Sequence, residues 1–198
     1  MSLPRIALLA ATTALFSLSA CAQYGSTATP SNNASSQIHS STKDPDGDGN
    51  VKGIAYFSKT RPATGGKVFI FDPQYHAWAV YDEKGNRVNI GNASGGKIYC
   101  PDSGHGCKTI VGTFHVIKMG GANCKSTRYP IKTHGGAPMP YCMYFSPKGY
   151  AVHGSYELPN DANASHGCIR VSPLSAKWLN QHFMTVGTTV IVLPYGTK

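Results

Sequence analysis

Residues 68–81 read VFIFDPQYHAWAVY. Two compact apolar runs, 68–71 and 77–81, flank a polar segment that contains Pro73. Aromatic and β-branched residues are enriched in both runs, as is typical of strands, and the proline favours a turn between them. The stretch therefore predicts a β-hairpin near the start of the folded part of the chain.

Further short apolar segments follow this hairpin, separated by turns rich in glycine and proline. They predict strands around residues 88–90, 113–117, 142–145, 150–152 and 189–193. One segment predicts a helix, because Ser172 and Pro173 form a typical N-terminus and Gly187 follows the expected end. The apolar residues that recur at helical spacing within it are Leu174, Trp178, Leu179 and Phe183. The pattern predicts a mainly β protein, a sandwich or barrel with one or two short helices.

The N-terminal 20 residues have the layout of a secretory signal peptide and are too short to span a bilayer comfortably. They end in Leu-Ser-Ala before Cys21, which resembles the lipobox of bacterial lipoproteins. This resemblance implies cleavage before Cys21 and lipidation of that residue. Ordinary signal cleavage with a free Cys21 is the alternative. Residues 21–50 are rich in Ser, Thr, Asn and Ala and predict a flexible tether before a folded domain at 51–198.

The chain is basic, with 18 Lys and Arg against 9 Asp and Glu, and a net charge of +9. The basic residues are spread along the sequence and no nucleic-acid-binding motif accompanies them, so we expect no nucleic-acid partner. In an exported protein this charge suits an anionic surface such as peptidoglycan or lipid headgroups, or it serves solubility alone.

The chain has six cysteines. Cys21 is the predicted lipidation site, and Cys168 is the candidate nucleophile described below. An even number remains in a compartment that we expect to be oxidising, and four cysteines allow three connectivities. Local loop closure favours two disulfides, Cys100–Cys107 and Cys124–Cys142.

The tripeptide His-Gly-Cys occurs twice, at residues 105–107 and 166–168. The first copy lies in a loop with Cys100, its natural disulfide partner, and a disulfide sulfur is not a nucleophile. The second copy has no nearby cysteine, and His153 lies at the end of a predicted strand. A thiolate beside an imidazole is the usual requirement for nucleophilic catalysis, so Cys168 is the candidate nucleophile. The alternative is a buried structural cysteine.

The second copy, within Ser165-His166-Gly167-Cys168-Ile169-Arg170 and preceded by His153-Gly154, resembles the signature of the YkuD-type L,D-transpeptidase catalytic domain. Segments 109–114 and 137–145 are similar to that family too. The resemblance covers about residues 67–194 and implies a peptidoglycan L,D-transpeptidase that uses no cofactor and no metal. This chain departs from the family pattern in two features. The loop between His153 and Ser165 is short, with eleven residues, and the chain has extra cysteine pairs.

The resemblance also implies a role for each motif residue. Cys168 attacks a tetrapeptide stem at its third residue, a diamino acid, and expels D-alanine. His153 serves as the base, and the Gly154 carbonyl holds its imidazole. Backbone N–H groups around Gly167 and Cys168 are the expected oxyanion donors. Substrate-contacting or pocket-shaping positions are expected at His166, Ser165, Arg170, Met139 and Tyr141. Arg170 either binds a substrate carboxylate or pairs with Glu157 or Asp161.

Three other readings of the motif remain open. A cysteine peptidase or L,D-carboxypeptidase could act on the same wall peptides, although His153 precedes Cys168 here and peptidases of that type have the reverse order. A zinc site from His134, His153, His166 and Cys168 would match no common ligand spacing. A wall-binding lipoprotein could carry the motif without turnover. We expect an exported protein on the periplasmic face of a bacterial membrane, with the outer membrane favoured. The sequence does not indicate which amine accepts the acyl group.

Overall fold

The computed structural model of the protein describes residues 56–196. The predicted signal peptide, Cys21 and the predicted tether lie outside the described residues. Within them the chain forms nine strands in two sheets. The strands are β1 (Val68–Asp72), β2 (Ala77–Tyr81), β3 (Arg87–Asn92), β4 (Gly112–His115), β5 (Lys118–Met119), β6 (Met143–Tyr144), β7 (Ala151–Gly154), β8 (Ile169–Val171) and β9 (Thr189–Val192).

The five-stranded sheet is built around the predicted hairpin. Strands β1 and β2 pair antiparallel, with Val68 opposite Tyr81 and Asp72 opposite Ala77. The strand order is β3-β2-β1-β9-β4, and β9 pairs with β1 in parallel. Asp72 ends β1 and accepts hydrogen bonds from the N–H groups of Gln74 and Tyr75, at 2.8 and 3.2 Å, which closes the hairpin turn.

The four-stranded sheet has the order β5-β6-β7-β8. Strands β6 and β7 pair antiparallel, whereas β7 and β8 pair in parallel. Parallel strands cannot be joined by a tight turn, so the chain between β7 and β8 must cross from one end of the pair to the other. That crossover is the eleven-residue loop and Ser165–Cys168.

The main hydrophobic core contains residues from both sheets, which makes the fold a two-layer β structure as predicted. Phe69, Trp78 and Val190 from the first sheet and Val152 and Ile169 from the second are all completely buried. Strand β2 is buried along its whole length. Its uninterrupted apolar sequence is therefore explained by burial on both faces.

The predicted helix forms as a short α-helix, α1 (Pro173–Trp178), that continues into a π-helical turn, Leu179–Phe183. The Ser172 side chain caps it by accepting a hydrogen bond from the Ser175 N–H at 3.0 Å. Leu179 and Phe183 enter the core as the spacing predicts, but Leu174 is 57% exposed and does not. A 3₁₀ turn, Ile131–Thr133, lies outside the predicted elements. Across residues 56–196, none of these helical segments has the length and apolarity needed to cross a membrane.

Both favoured disulfides are present. Cys100 is bonded to Cys107 and Cys124 to Cys142, with Cα atoms 5.9 and 6.1 Å apart. The first closes a surface loop, and the second joins the start of the segment before the 3₁₀ turn to β6. Cys168 is the free cysteine of the described residues.

Candidate active site

Parallel pairing of β7 and β8 brings the two halves of the predicted motif together. His153 lies in β7 opposite Arg170 of β8, and Cys168 immediately precedes β8. The chain is tightly packed where β7 ends, since a Cβ on Gly154 would lie 3.0 Å from the Pro140 Cγ. Glycine at this position allows the strand to pack under the segment that carries Met139 and Pro140.

The His153 imidazole is buried and held by the backbone. Its Nδ1 lies 2.8 Å from the Gly154 carbonyl oxygen. Because a carbonyl only accepts, Nδ1 carries the proton and Nε2 is left as the basic nitrogen. Burial, with a smaller contribution from the Arg170 charge, lowers the pKa of His153 to about 4, against the opposing effect of the Gly154 contact. The ring is therefore neutral at pH 7 and able to accept a proton.

The Cys168 thiol has the complementary shift. Burial raises its pKa to about 11, although a backbone contact with Ala151 and the Arg170 charge oppose this shift. The residue as a whole keeps some exposure, and its Sγ lies 3.7 Å from the Gly149 carbonyl oxygen. A neutral thiol and a neutral imidazole thus line the same cavity, and formation of the thiolate requires transfer of its proton to a base.

Ser165 organises the turn that presents Cys168. Its Oγ donates to the Cys168 carbonyl oxygen at 2.5 Å and accepts from the Gly167 N–H at 3.0 Å. Gly167 has a φ of +122°, and a Cβ there would lie 2.7 Å from the Tyr150 ring. Ser165 is 2% exposed, so it acts from inside the turn. The Gly167 N–H donates to Ser165 in this arrangement, and its expected role as an oxyanion donor stays a prediction.

His166 contacts a residue that the sequence did not suggest as its partner. Its Nε2 lies 2.7 and 2.9 Å from the two carboxylate oxygens of Asp102, and its ring stacks on Tyr129 with centroids 4.4 Å apart. The His166 hydrogen bond lowers the pKa of Asp102. Asp102 belongs to the loop closed by the Cys100–Cys107 disulfide. The first His-Gly-Cys copy is therefore part of the structure that supports the second.

The same loop region packs directly beneath the motif. The Ser165 N–H donates to the Gly95 carbonyl at 2.9 Å, and the Lys97 N–H donates to the Ser165 carbonyl at 2.9 Å. A Cβ on Gly96 would lie 1.8 Å from the Cys107 carbonyl oxygen and 2.9 Å from the Gly167 Cα. The absence of a side chain at Gly96 lets three backbone segments meet behind the nucleophile.

Arg170 lies in the wall of the cavity that contains Cys168 and His153. Its Nη1 is 3.8 Å from the Glu157 carboxylate and 3.5 Å from the Glu157 carbonyl oxygen. The Glu157 side chain is 87% exposed, so this contact is loose. Of the two predicted partners, Glu157 is the one in ion-pair range, and the guanidinium still faces the cavity.

The two predicted residues of the approach segment have different positions. Met139 is buried and lines the cavity, in a cluster with Cys142, Ala151 and Cys168. Tyr141 instead packs against the main core, with a φ of +57°, and its N–H donates to the Gly121 carbonyl at 2.9 Å. Tyr141 is not among the residues that line the cavity, and its predicted contact with substrate stays a prediction.

The cavity has a volume of about 940 Å³, which suits a peptide-sized ligand. Several lining side chains were not predicted from the sequence, because all but Tyr144 of strand β6 come from loops without a periodic pattern. These are Asp102, Arg128, Tyr129, Tyr144, Lys148, Tyr150 and Tyr156. For Asp102, Arg128, Tyr129, Lys148 and Tyr150, the sequence signal was their nearness to cysteines and glycines in segments 100–107, 124–130 and 147–150.

One group of potential metal ligands lies at this cavity. Atoms of Cys100, Asp102 and His166 come within 4.8 Å of one another. The Cys100 sulfur is bonded to Cys107 and is therefore not a thiolate ligand. The remaining carboxylate and imidazole already satisfy each other, so this group does not have the donor set of a zinc site.

Comparison with known proteins identifies the family. The model of the YkuD family, the L,D-transpeptidase catalytic domain, matches residues 65–192. The chain belongs to this family. A crystal structure of residues 123–326 of an L,D-transpeptidase from Xylanimonas cellulosilytica is 32% identical, with a TM-score of 0.58, and the match covers 70% of this chain and 65% of that one.

Two further structures are similar at 25% identity, and each match covers 65% of this chain and 59% of the other. One is an L,D-transpeptidase from Mycobacterium smegmatis, with a TM-score of 0.53. The other is the L,D-transpeptidase LdtMt1 in complex with imipenem, with a TM-score of 0.54. The chain thus spans less than two thirds of the length of these structures. No match was found among curated proteins.

Proposed function

We propose that the protein is a peptidoglycan L,D-transpeptidase that works through a thioester on Cys168. The observation that carries this proposal is that one cavity of about 940 Å³ is lined by both the free Cys168 and a neutral His153 whose Nδ1 is held by the Gly154 carbonyl. A buried imidazole with a free Nε2 is suited to taking a thiol proton, and the cavity gives a stem peptide room to bind.

In the acylation step, His153 Nε2 takes the Cys168 proton as the sulfur attacks the carbonyl carbon of the third stem residue, a diamino acid. The tetrahedral intermediate collapses, its carbon–nitrogen bond breaks, and the imidazolium returns the proton to the departing amine of D-alanine. The product is a thioester between the stem and Cys168. In the second step an amine attacks the thioester carbonyl and loses a proton to His153. The carbon–sulfur bond then breaks, and the imidazolium returns the proton to the departing Cys168 sulfur.

The Cys168 N–H is the backbone donor that we assign to the developing oxyanion, because Ser165 occupies the neighbouring Gly167 N–H. One such donor is commonly worth about 3–4 kcal/mol of transition-state stabilisation. Ser165 thereby has two roles in this proposal, since it fixes the turn geometry and leaves one N–H group for the substrate.

The test is incubation of the protein with a disaccharide-tetrapeptide, followed by mass spectrometry. We expect loss of D-alanine and a cross-linked product in which the new bond joins two third residues, with no reaction in Cys168→Ala. A tripeptide without cross-link would indicate that water is the acceptor and would support a carboxypeptidase instead. An unchanged tetrapeptide would contradict both enzymatic assignments and favour a wall-binding role.

We further propose that the protein is an exported lipoprotein, anchored through Cys21 to the periplasmic face of a bacterial membrane. The support is the leader at residues 1–20 and the lipobox-like sequence before Cys21. The test is metabolic labelling with palmitate, which should mark the wild-type chain and not Cys21→Ala. Equal labelling of both chains would overturn the assignment.

A further inference from the structure

The charged side chains of the cavity wall do not balance. Three cations and two carboxylates line it: Arg128, Lys148, Arg170, Asp102 and Glu157. Asp102 is engaged by His166 at 2.7 Å, and Glu157 lies 3.8 Å from Arg170. Within residues 56–196, Arg128 and Lys148 have no acidic partner within ion-pair distance. The wall therefore has two cations whose charge is not neutralised by the protein.

Lys148 is tied to the nucleophile through its backbone. Its N–H donates to the Ser146 Oγ at 3.2 Å, which fixes the turn. The next residue, Gly149, provides the carbonyl oxygen that lies 3.7 Å from the Cys168 Sγ. Lys148 is exposed and lines the same cavity as Cys168.

Arg128 is placed on the same cavity by the aromatic residues. Its guanidinium lies 5.6 Å from the centre of the Tyr129 ring, and Tyr129 stacks on His166. Burial raises the pKa of Tyr150, nearby Cys168 raises it further, and Arg128 opposes the shift. Tyr150 therefore lies within electrostatic range of both the nucleophile and the arginine.

We infer that Arg128 and Lys148 form a carboxylate-binding wall. This wall makes the enzyme prefer donor stems whose attacked diamino acid has a free carboxylate over stems in which that carboxylate is a primary amide. The inference rests on the proposed function and adds a specificity to it. A free carboxylate on this residue lies at the far end of its side chain, because its α-carbonyl is the group attacked, and it gains attraction from cations that line the cavity. The primary amide has nearly the same shape without the charge. Both cations are exposed, so the attraction weakens with added salt.

The experiment compares two tetrapeptide donors that differ only in this carboxylate or its primary amide. Single-turnover thioester formation on Cys168 is followed by mass spectrometry without an acceptor, so that only the donor step is measured. Because exposed ion pairs are individually weak, we expect Arg128→Gln and Lys148→Gln each to lower the rate constant per donor concentration by about 2- to 5-fold for the free acid, and not for the amide. The double variant should remove most of the preference.

Three controls separate specificity from general damage. Arg128→Lys keeps the charge and should retain the preference, and Lys84→Gln removes an exposed charge from the β2–β3 turn without effect. In Cys168→Ala, titration followed by NMR should show tighter binding of the free acid than of the amide. Equal acylation of both donors by the wild type would overturn the inference and leave the proposed function standing. Acylation by neither donor would instead count against the proposed function.

Discussion

His153 is kept neutral by its surroundings, and this gives acylation a distinct pH dependence. The pKa of about 4 means that the ring gains a proton only in acid, where it can no longer accept one from Cys168. The measurement is acylation with an imipenem-type acyl donor as a function of pH. We expect its second-order rate constant to decrease as the pH is lowered from neutral, with the midpoint of the decrease near pH 4. A midpoint near the ordinary histidine pKa of about 6.5 would contradict a buried neutral base.

Replacement of this base should abolish acylation while the fold is retained. We predict that His153→Gln loses nearly all thioester formation, since the amide cannot take the thiol proton. Circular dichroism should be unchanged. Substantial acylation by the variant would remove His153 from the base role.

The same shift links stability to pH. The folded state lowers the His153 pKa from 6.5 to about 4, so the unfolded chain binds more protons between these values and stability falls as pH falls through that window. The full effect is about 3 kcal/mol. Urea unfolding at pH 7 and pH 4 should show this loss, and His153→Gln should show a smaller one. An equal loss in the variant would mean that carboxylates alone cause the acid sensitivity.

Ser165 offers a second residue-scale test. Ser165→Ala removes the hydroxyl that contacts the Cys168 carbonyl and the Gly167 N–H, and leaves both groups without that partner inside the turn. We expect a loss of about 1–3 kcal/mol in the free energy of unfolding and a clear fall in acylation rate. Ser165→Thr keeps the hydroxyl and should retain more of both. Equal behaviour of the two variants would show that the hydroxyl is not what matters.

At the scale of elements, the Cys100–Cys107 loop and the Ser165–Cys168 turn form one unit, joined by the contact between Asp102 and His166. We predict that Asp102→Asn weakens this contact and lowers acylation several-fold without a change in melting temperature, because the carboxylate is exposed. Glu83→Gln, in the β2–β3 turn, is the matched control. Full activity of the Asp102→Asn variant would show that the contact between Asp102 and His166 does not contribute to acylation.

Sequence patterns predicted those elements that have enough consecutive apolar residues to show a period. The 68–81 hairpin and β9 are of this kind, and Ser172 and Pro173 marked the helix start correctly. Strands β5 and β8 have two and three residues, too few for a pattern, and β8 was hidden inside the motif. The exposed Leu174 was misassigned because helical spacing alone does not tell which turn reaches the core.

The candidate site divides in the same way. Cys168 and the pair His153-Gly154 belong to two short motif segments, one just before β8 and one in β7, and the sequence was sufficient to propose them. Asp102, Arg128 and Lys148 reach the cavity from loops whose course is set by disulfides and turns. No local pattern encodes that course, and only the folded chain shows which loop residues meet.

At the scale of the whole molecule, the two disulfides close loops in regions with little regular structure. On the chain-entropy model, a loop of the Cys100–Cys107 size contributes about 2.5 kcal/mol and one of the Cys124–Cys142 size about 3 kcal/mol. We predict that Cys124→Ser with Cys142→Ser lowers the free energy of unfolding by about this larger amount, measured by urea titration. An unchanged unfolding midpoint would mean that packing alone holds the segment before β6.

The group that orients the catalytic imidazole is a main-chain carbonyl, and this alters which mutations can harm the enzyme. A side-chain carboxylate in that role could be deleted by a single codon change, whereas every amino acid at position 154 retains the carbonyl oxygen. The vulnerability is instead one of volume, since any added Cβ meets Pro140 and Pro173. Inactivating changes at this position should therefore act by displacing the oxygen from His153, and second-site changes that make space could restore it.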